Sequence, residues 1–315
     1  MRRELAFAVL QALGAFVAAL AGAALLLQVL LAAAPGDAAD LISDDPALRE
    51  ALVQAWRLDE PVLGRWLAWM GDALGGDLGR SLTYRPGQPV AELVVPALGR
   101  SLVLVLGALV VALGGGLGLA WLTTGRRSVT RRVVQALSVT PVFLLAWLAL
   151  AGLNEGAFSL MEAGRLERPG WFALPDEDSW LKTLLAVLVL AVGSSALGEV
   201  HAAFEVELGR LKRASFVEAL LVRKAAMGRH LIRAVLPPLA TVAGARASFF
   251  VGGLVVIETV LHVGGLGSLL WQTCRLRDYP LALGIGVVAA ALVCGARLFT
   301  DLVRVTVDPR LRRAR

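Results

Sequence analysis

The sequence is short of charge. Only 18% of its 315 residues are Asp, Glu, Lys or Arg, and its mean hydropathy is +0.70. Water-soluble domains carry about 25% charged residues, so a soluble globular protein is excluded and an integral membrane protein is indicated. Cysteine is scarce as well. Cys274 and Cys294 are too few for a disulfide framework and do not form a CxxC site, so they read as packing residues. The three histidines, His201, His230 and His262, fall in no HExxH pattern and beside no cysteine at metal-ligand spacing. Also missing are the nucleotide-binding pattern GxxxxGK(S/T) and the GxSxG turn of serine hydrolases. No active site is legible, and if the protein uses ATP, another chain must hydrolyse it.

Long apolar runs make up most of what is present. Six stretches reach the roughly 20 residues that a helix needs to cross the hydrocarbon core: 6–34, 101–122, 133–153, 180–202, 234–261 and 281–305. Arg2 and Arg3 precede the first, as in a secretory leader, but that run is too long for a leader and reads as a retained span. The net charge of +6 is not spread over a face that nucleic acid could use; the basic residues stand in short blocks beside apolar runs. Arg126, Arg127, Arg131 and Arg132 join the second and third runs, and Arg310, Arg312, Arg313 and Arg315 end the chain. With six spans all the basic blocks fall on one side, and the other side receives acidic loops carrying Asp37, Asp40, Asp44, Asp45 and Glu50. Positive residues stay inside, so both termini are expected in the cytoplasm. The expectation is an all-α integral membrane protein in three parts: the first span (1–34), an external loop (35–100) and a five-helix core (101–315).

Two loops hold more than turns. In 35–100, "DDPALREALVQAWRL" and "EPVLGRWLAWMGDALGG" carry apolar residues at helical spacing and predict short amphipathic helices, with Trp66, Trp69 and Met70 near one face as interfacial anchors. The link 203–233 is long, of mixed sign and basic (Arg210, Lys212, Arg213, Arg223, Lys224, Arg229, Arg233), and it suits helices lying on the cytoplasmic surface as a docking element or against lipid headgroups. Within the apolar runs, Arg246 and Glu258 are ionisable residues at membrane depth, which marks them as functional candidates. Arg246 is expected to face a partner subunit, a water-filled path, or an acid such as Glu199 or Glu258.

Three blocks then carry a resemblance. "LDEPVLGRWLAWMGDALGGDLGRSLTYRPGQPVAELV" (58–94), "VIETVLHVGGLGSLLWQTCRLRDYPLALG" (256–284) and the tail "DLVRVTVDPRLR" resemble, in order, the patterns of bacterial ABC importer permease subunits. The branch is the dipeptide, oligopeptide and nickel one of the binding-protein-dependent permeases. The resemblance implies a type I six-span half in the bacterial inner membrane, surrounded by lipid and without nucleic acid. It further implies a second homologous permease subunit, two ATPase subunits that hold ATP and Mg, and a periplasmic solute-binding protein; this chain itself would bind no cofactor. The link before the fifth span resembles the family's "EAA" loop, which docks on the ATPase. That assigns coupling to Glu218, Ala219, Arg223, Lys224, Gly228 and His230, with span 5, Arg246 and Glu258 lining the translocation pathway. Leu220 stands where the loop's glycine is usual, Gly264 where a proline is usual, and Arg246 where the residue is usually uncharged. Alternatives are a permease relative uncoupled from ATP hydrolysis, a membrane-embedded enzyme, and a secondary carrier, which would need internal inverted repeats.

Overall fold

In the computed structural model the apolar sequence is helical, and helices break at Pro141 and at Ser194–Ser195, whereas Pro96 lies within a continuous helix. The structure describes residues 2–33, 59–123, 129–165, 180–212 and 227–307, with 46, 50, 53 and 54 between the first two segments. Among the described residues every regular element is a helix. They are α1 (Arg2–Ala33), α2 (Val62–Leu74), α3 (Val90–Thr123), α4 (Val129–Val139), α5 (Val142–Glu162), α6 (Trp180–Gly193), α7 (Ala196–Lys212), α8 (Met227–Val260), α9 (Leu266–Leu276) and α10 (Tyr279–Val307).

Four helices, α1, α3, α5 and α10, are long and apolar enough to cross a membrane, and the bent pair α6–α7 makes a fifth if taken as one span. Within α8 the described residues include a shorter apolar stretch, Phe249–Val260. Large apolar side chains stand exposed on several of these helices: Leu10, Val17 and Leu26 on α1, Val103 and Val110 on α3, Phe143 and Trp147 on α5. In water such surface is costly; against lipid tails it is not.

Several helices differ from the apolar runs. The second run suggests a start at 101, but α3 begins at Val90. Val90, Val94 and Ala97 share one helical face and are buried with Leu266, Leu269 and Leu281, while the charged Glu92 and Arg100 point outward. The third run, 133–153, divides at Pro141 into α4 and α5; a proline lacks the N–H that a continuous helix needs there. The fourth, 180–202, bends by 51° between α6 and α7 at Ser194–Ser195, where Ser195 takes a left-handed φ of 62°. Of the two amphipathic stretches, the second is α2, and the first lies mostly outside the described residues. The Trp66 indole N–H donates to the Ala21 carbonyl at 3.1 Å, fastening α2 against α1. Cys274, read above as a packing residue, is instead exposed on α9, and Cys294 is half-buried.

The helices pack without a hydrophobic drive between them once lipid is the solvent, so close approach matters. A Cβ added to Gly116 of α3 would stand 2.6 Å from a Val200 methyl of α7. The central cluster joins Leu104 and Ala108 of α3, Ala186 and Leu190 of α6, and Phe250, Leu254 and Ile257 of α8. A second cluster closes one end of the bundle, where α3 starts, α8 ends and α9 lies across to α10.

Candidate functional site

At that end two buried carboxylates organise the backbone. Helix α8 stops at a left-handed residue, His262 (φ 53°), and the Val263 N–H donates back to the Glu258 carbonyl at 2.9 Å. This is the closing bond of a helix end normally built on glycine. The chain then turns through "GGLGS" into α9. Glu258, fully buried, receives the start of that helix: its Oε2 accepts from the N–H groups of Gly267 (2.7 Å) and Ser268 (3.0 Å), and its Oε1 accepts from Ser101 Oγ (2.6 Å). Ser101 Oγ in turn accepts from the Leu266 N–H at 2.8 Å, so α3, α8 and α9 meet in one network. A negative charge at a helix N-terminus satisfies donors that the helix cannot satisfy itself. The glycines are needed for room. A Cβ on Gly265 would collide with the Glu258 carboxylate, and one on Gly267 with the Val255 backbone.

The other end of α9 has a matching arrangement. Arg277 takes a left-handed φ of 56°, and the Asp278 N–H donates to the Thr273 carbonyl at 3.1 Å. Asp278, also fully buried, gathers the turn that precedes α3. Its Oδ2 accepts from Ser81 Oγ (2.6 Å) and from the N–H groups of Leu82 (2.9 Å), Thr83 (3.1 Å) and Tyr84 (3.1 Å). Its Oδ1 accepts from the Leu281 N–H at 3.3 Å at the start of α10. Thus the "GDLGRSLTY" and "RDYP" stretches, remote in sequence, are halves of one structure.

Arg246 lies elsewhere, beside the break between α6 and α7. Its Nε donates to Glu199 Oε2 at 2.6 Å, its Nη2 pairs with Glu199 Oε1, and its Nη1 donates to the Ser194 carbonyl at 2.8 Å. The guanidinium also stacks over Phe249 at 5.6 Å. Of the partners open to Arg246, Glu199 is the one it takes. The donation to Ser194 satisfies a carbonyl that the broken helix leaves without its usual donor. Glu199 remains about 43% exposed, so this pair, unlike the carboxylates at the bundle end, is open to its surroundings.

Of the residues assigned to coupling, Glu218, Ala219, Arg223 and Lys224 lie outside the described residues, and Gly228 and His230 fall in the first turn of α8. The two pathway residues, Arg246 and Glu258, share α8 but are not brought together. Among the described residues no group of three or more His, Cys, Asp or Glu is placed to hold a metal ion.

The family described as binding-protein-dependent transport system inner membrane component matches residues 111–313. The chain belongs to this family. It is an all-α permease of the ABC importer type, multi-pass in the inner membrane, and a transport component by family. A Brucella ovis protein whose name is that of a peptide permease is 32% identical over 91% of this chain and 93% of its own length. The oligopeptide transport system permease protein AppB of Bacillus subtilis is 28% identical over 93% of this chain and 95% of its own. The glutathione transport system permease protein GsiC of Escherichia coli strain CFT073 is 28% identical, covering 88% of this chain and 90% of that one. The family match begins at residue 111, but relatives that cover 88–93% of this chain reach well ahead of it, so the Ser81–Tyr84 turn lies within the shared length.

Sequence reasoning did not single out Asp278, Ser101 or Ser81. Asp278 did carry a signal, an acid just ahead of Tyr-Pro at the start of an apolar run, which is the pattern of a helix N-cap. Ser101 and Ser81 carried none, since a lone serine announces no partner more than 150 residues away.

Proposed function

We propose that this chain is one permease half of an ATP-driven importer of peptides. It would have six spans, with α8 as the fifth, and both termini in the cytoplasm. The bundle end built around α9 then faces the periplasm, as does the loop 35–100, and a solute-binding protein delivers cargo there. A second homologous permease subunit completes the pathway, and two ATPase subunits carry ATP and Mg. The link between α7 and α8, with Glu218, Ala219, Arg223 and Lys224, and the first turn of α8, with Gly228 and His230, dock on an ATPase and transmit its closure. Nucleotide-driven closure favours one arrangement of the two halves over the other, which is alternating access. The pathway runs along α8, with Glu258 bracing its periplasmic end and Arg246 holding the α6–α7 break beside it.

The observation that carries this reading is the near end-to-end likeness to relatives named as peptide, oligopeptide and glutathione permeases, extending over both the bundle core and the turn that Asp278 holds. Two measurements test it. Mild-detergent purification from native membranes, followed by mass spectrometry, is expected to recover an ATPase and a second permease chain with this one. Deleting this chain is expected to abolish uptake of labelled di- to hexapeptides. Recovery of this chain alone, with peptide uptake unchanged, overturns the proposal.

A further inference from the structure

A pocket of about 580 Å³ opens between the end of α8 and the side of α9. Its walls include Thr259, His262, Ser268, Trp271, Gln272 and Arg275. Glu258 borders it too, but both of its oxygens are already engaged by donors from Ser101, Gly267 and Ser268. The hydroxyls of Thr259 and Ser268 are likewise spent on the carbonyls of Val255 and Gly265. The polar groups left over are His262, Gln272 and Arg275, and among the described residues none of their side chains has a hydrogen bond or an ion pair. Beside them Trp271, 49% exposed, provides an apolar wall.

His262 is the most telling of these. It occupies the left-handed turn position (φ 53°) where glycine is ordinarily favoured. A residue with a Cβ is disfavoured there, so the backbone gains nothing from the imidazole, and the side chain's position on the pocket wall is what distinguishes it from glycine. Arg275 adds a planar fork of donors suited to a carboxylate. A pocket of this size, with free polar groups beside an apolar wall, has room for a small molecule.

We infer that this pocket binds the C-terminal carboxylate of a short peptide, with Arg275 and His262 on the carboxylate, Gln272 on the adjoining amide, and Trp271 against the side chains. The inference rests on the peptide reading given above and assigns that cargo a docking point at the mouth of the permease.

The test uses the transporter purified from native membranes into nanodiscs, without binding protein, carrying this chain as wild type, His262→Gly or Arg275→Gln. Trialanine and trialanine amide are titrated onto each. Free trialanine is expected to bind the wild type at least 10-fold more tightly than it binds either variant, and more tightly than the amide binds. The amide is expected to bind all three forms alike. Because glycine suits the His262 turn, loss of binding in His262→Gly with unchanged thermal stability separates recognition from folding. No binding to wild type, equal binding of acid and amide, or indifference to both substitutions overturns the pocket. If the same cells still import peptides, only the pocket falls; if they import none, the peptide reading falls with it.

Discussion

Two charged residues on one helix meet opposite circumstances. Glu258 is sealed at the bundle end, and its carboxylate is matched by backbone N–H groups and one serine. Arg246, three turns earlier on α8, is matched mainly by another side chain, the half-exposed Glu199, across a break in the neighbouring span. Backbone donors cannot rotate away, so the Glu258 arrangement has one low-energy form. A pair of side chains can rotate apart where backbone donors cannot, so the Arg246 arrangement has more than one form open to it. The end of the bundle is therefore held by backbone, and the α6–α7 break by side chains that can be released.

The sharpest way to break this comparison is at Asp278, the second carboxylate of the fixed end. Asp278→Ala strands donors from Ser81, Leu82, Thr83, Tyr84 and Leu281. At about 1–3 kcal/mol for each buried donor that water cannot reach, a loss of about 3–5 kcal/mol is expected. Thermal unfolding in detergent should show it, along with poor recovery of the chain from membranes. Glu258→Ala follows, with an expected loss of about 2–4 kcal/mol, because three donors lose their acceptor. Glu258→Gln should recover part of it, since an amide oxygen still accepts.

Arg246 should behave differently. Glu199→Gln leaves an amide oxygen that can still accept from the guanidinium, so it should lower the melting temperature less than Glu258→Ala does, while lowering the transport rate. The exchange Arg246→Glu with Glu199→Arg should restore part of that rate. If Arg246→Ala destabilises the chain as much as Glu258→Ala does, the distinction between fixed end and releasable break fails. The smallest effect is expected at His262. Relief of the left-handed turn offsets the flexibility of glycine, so His262→Gly should leave stability level or raise it by about 0.5 kcal/mol.

The helices were legible in the sequence because burial in lipid is written in composition: a run of 20 apolar residues has few other uses. Helix ends were less so. Val90–Arg100 looked like loop because Glu92 and Arg100 interrupt it, although its buried face is continuous with α3. The bend at Ser194–Ser195 was hidden because serine neither forbids nor demands a break; the φ of Ser195 and the donor from Arg246 make it. Glu258 was visible as an acid in an apolar run, but its partners were not, since most are backbone amides and any residue supplies an amide. Asp278 was visible only as a letter in a motif, and its meaning lay nearly 200 residues away at Ser81.

That separation has a consequence for how the chain is made. The turn at Ser81–Tyr84 is synthesised early, but the carboxylate that accepts its amides comes 197 residues after Ser81. At a synthesis rate of roughly 5–20 residues per second, the interval is about 10–40 s. Until then the turn must keep its amides in water, which the proposed topology puts on the far side of the membrane from the ribosome. Its closure waits on delivery of Asp278 to that same side. A last span inserted upside down would carry Asp278 to the wrong face and leave the turn unclosed, so this one aspartate reports to an early loop that the final helix has been threaded correctly.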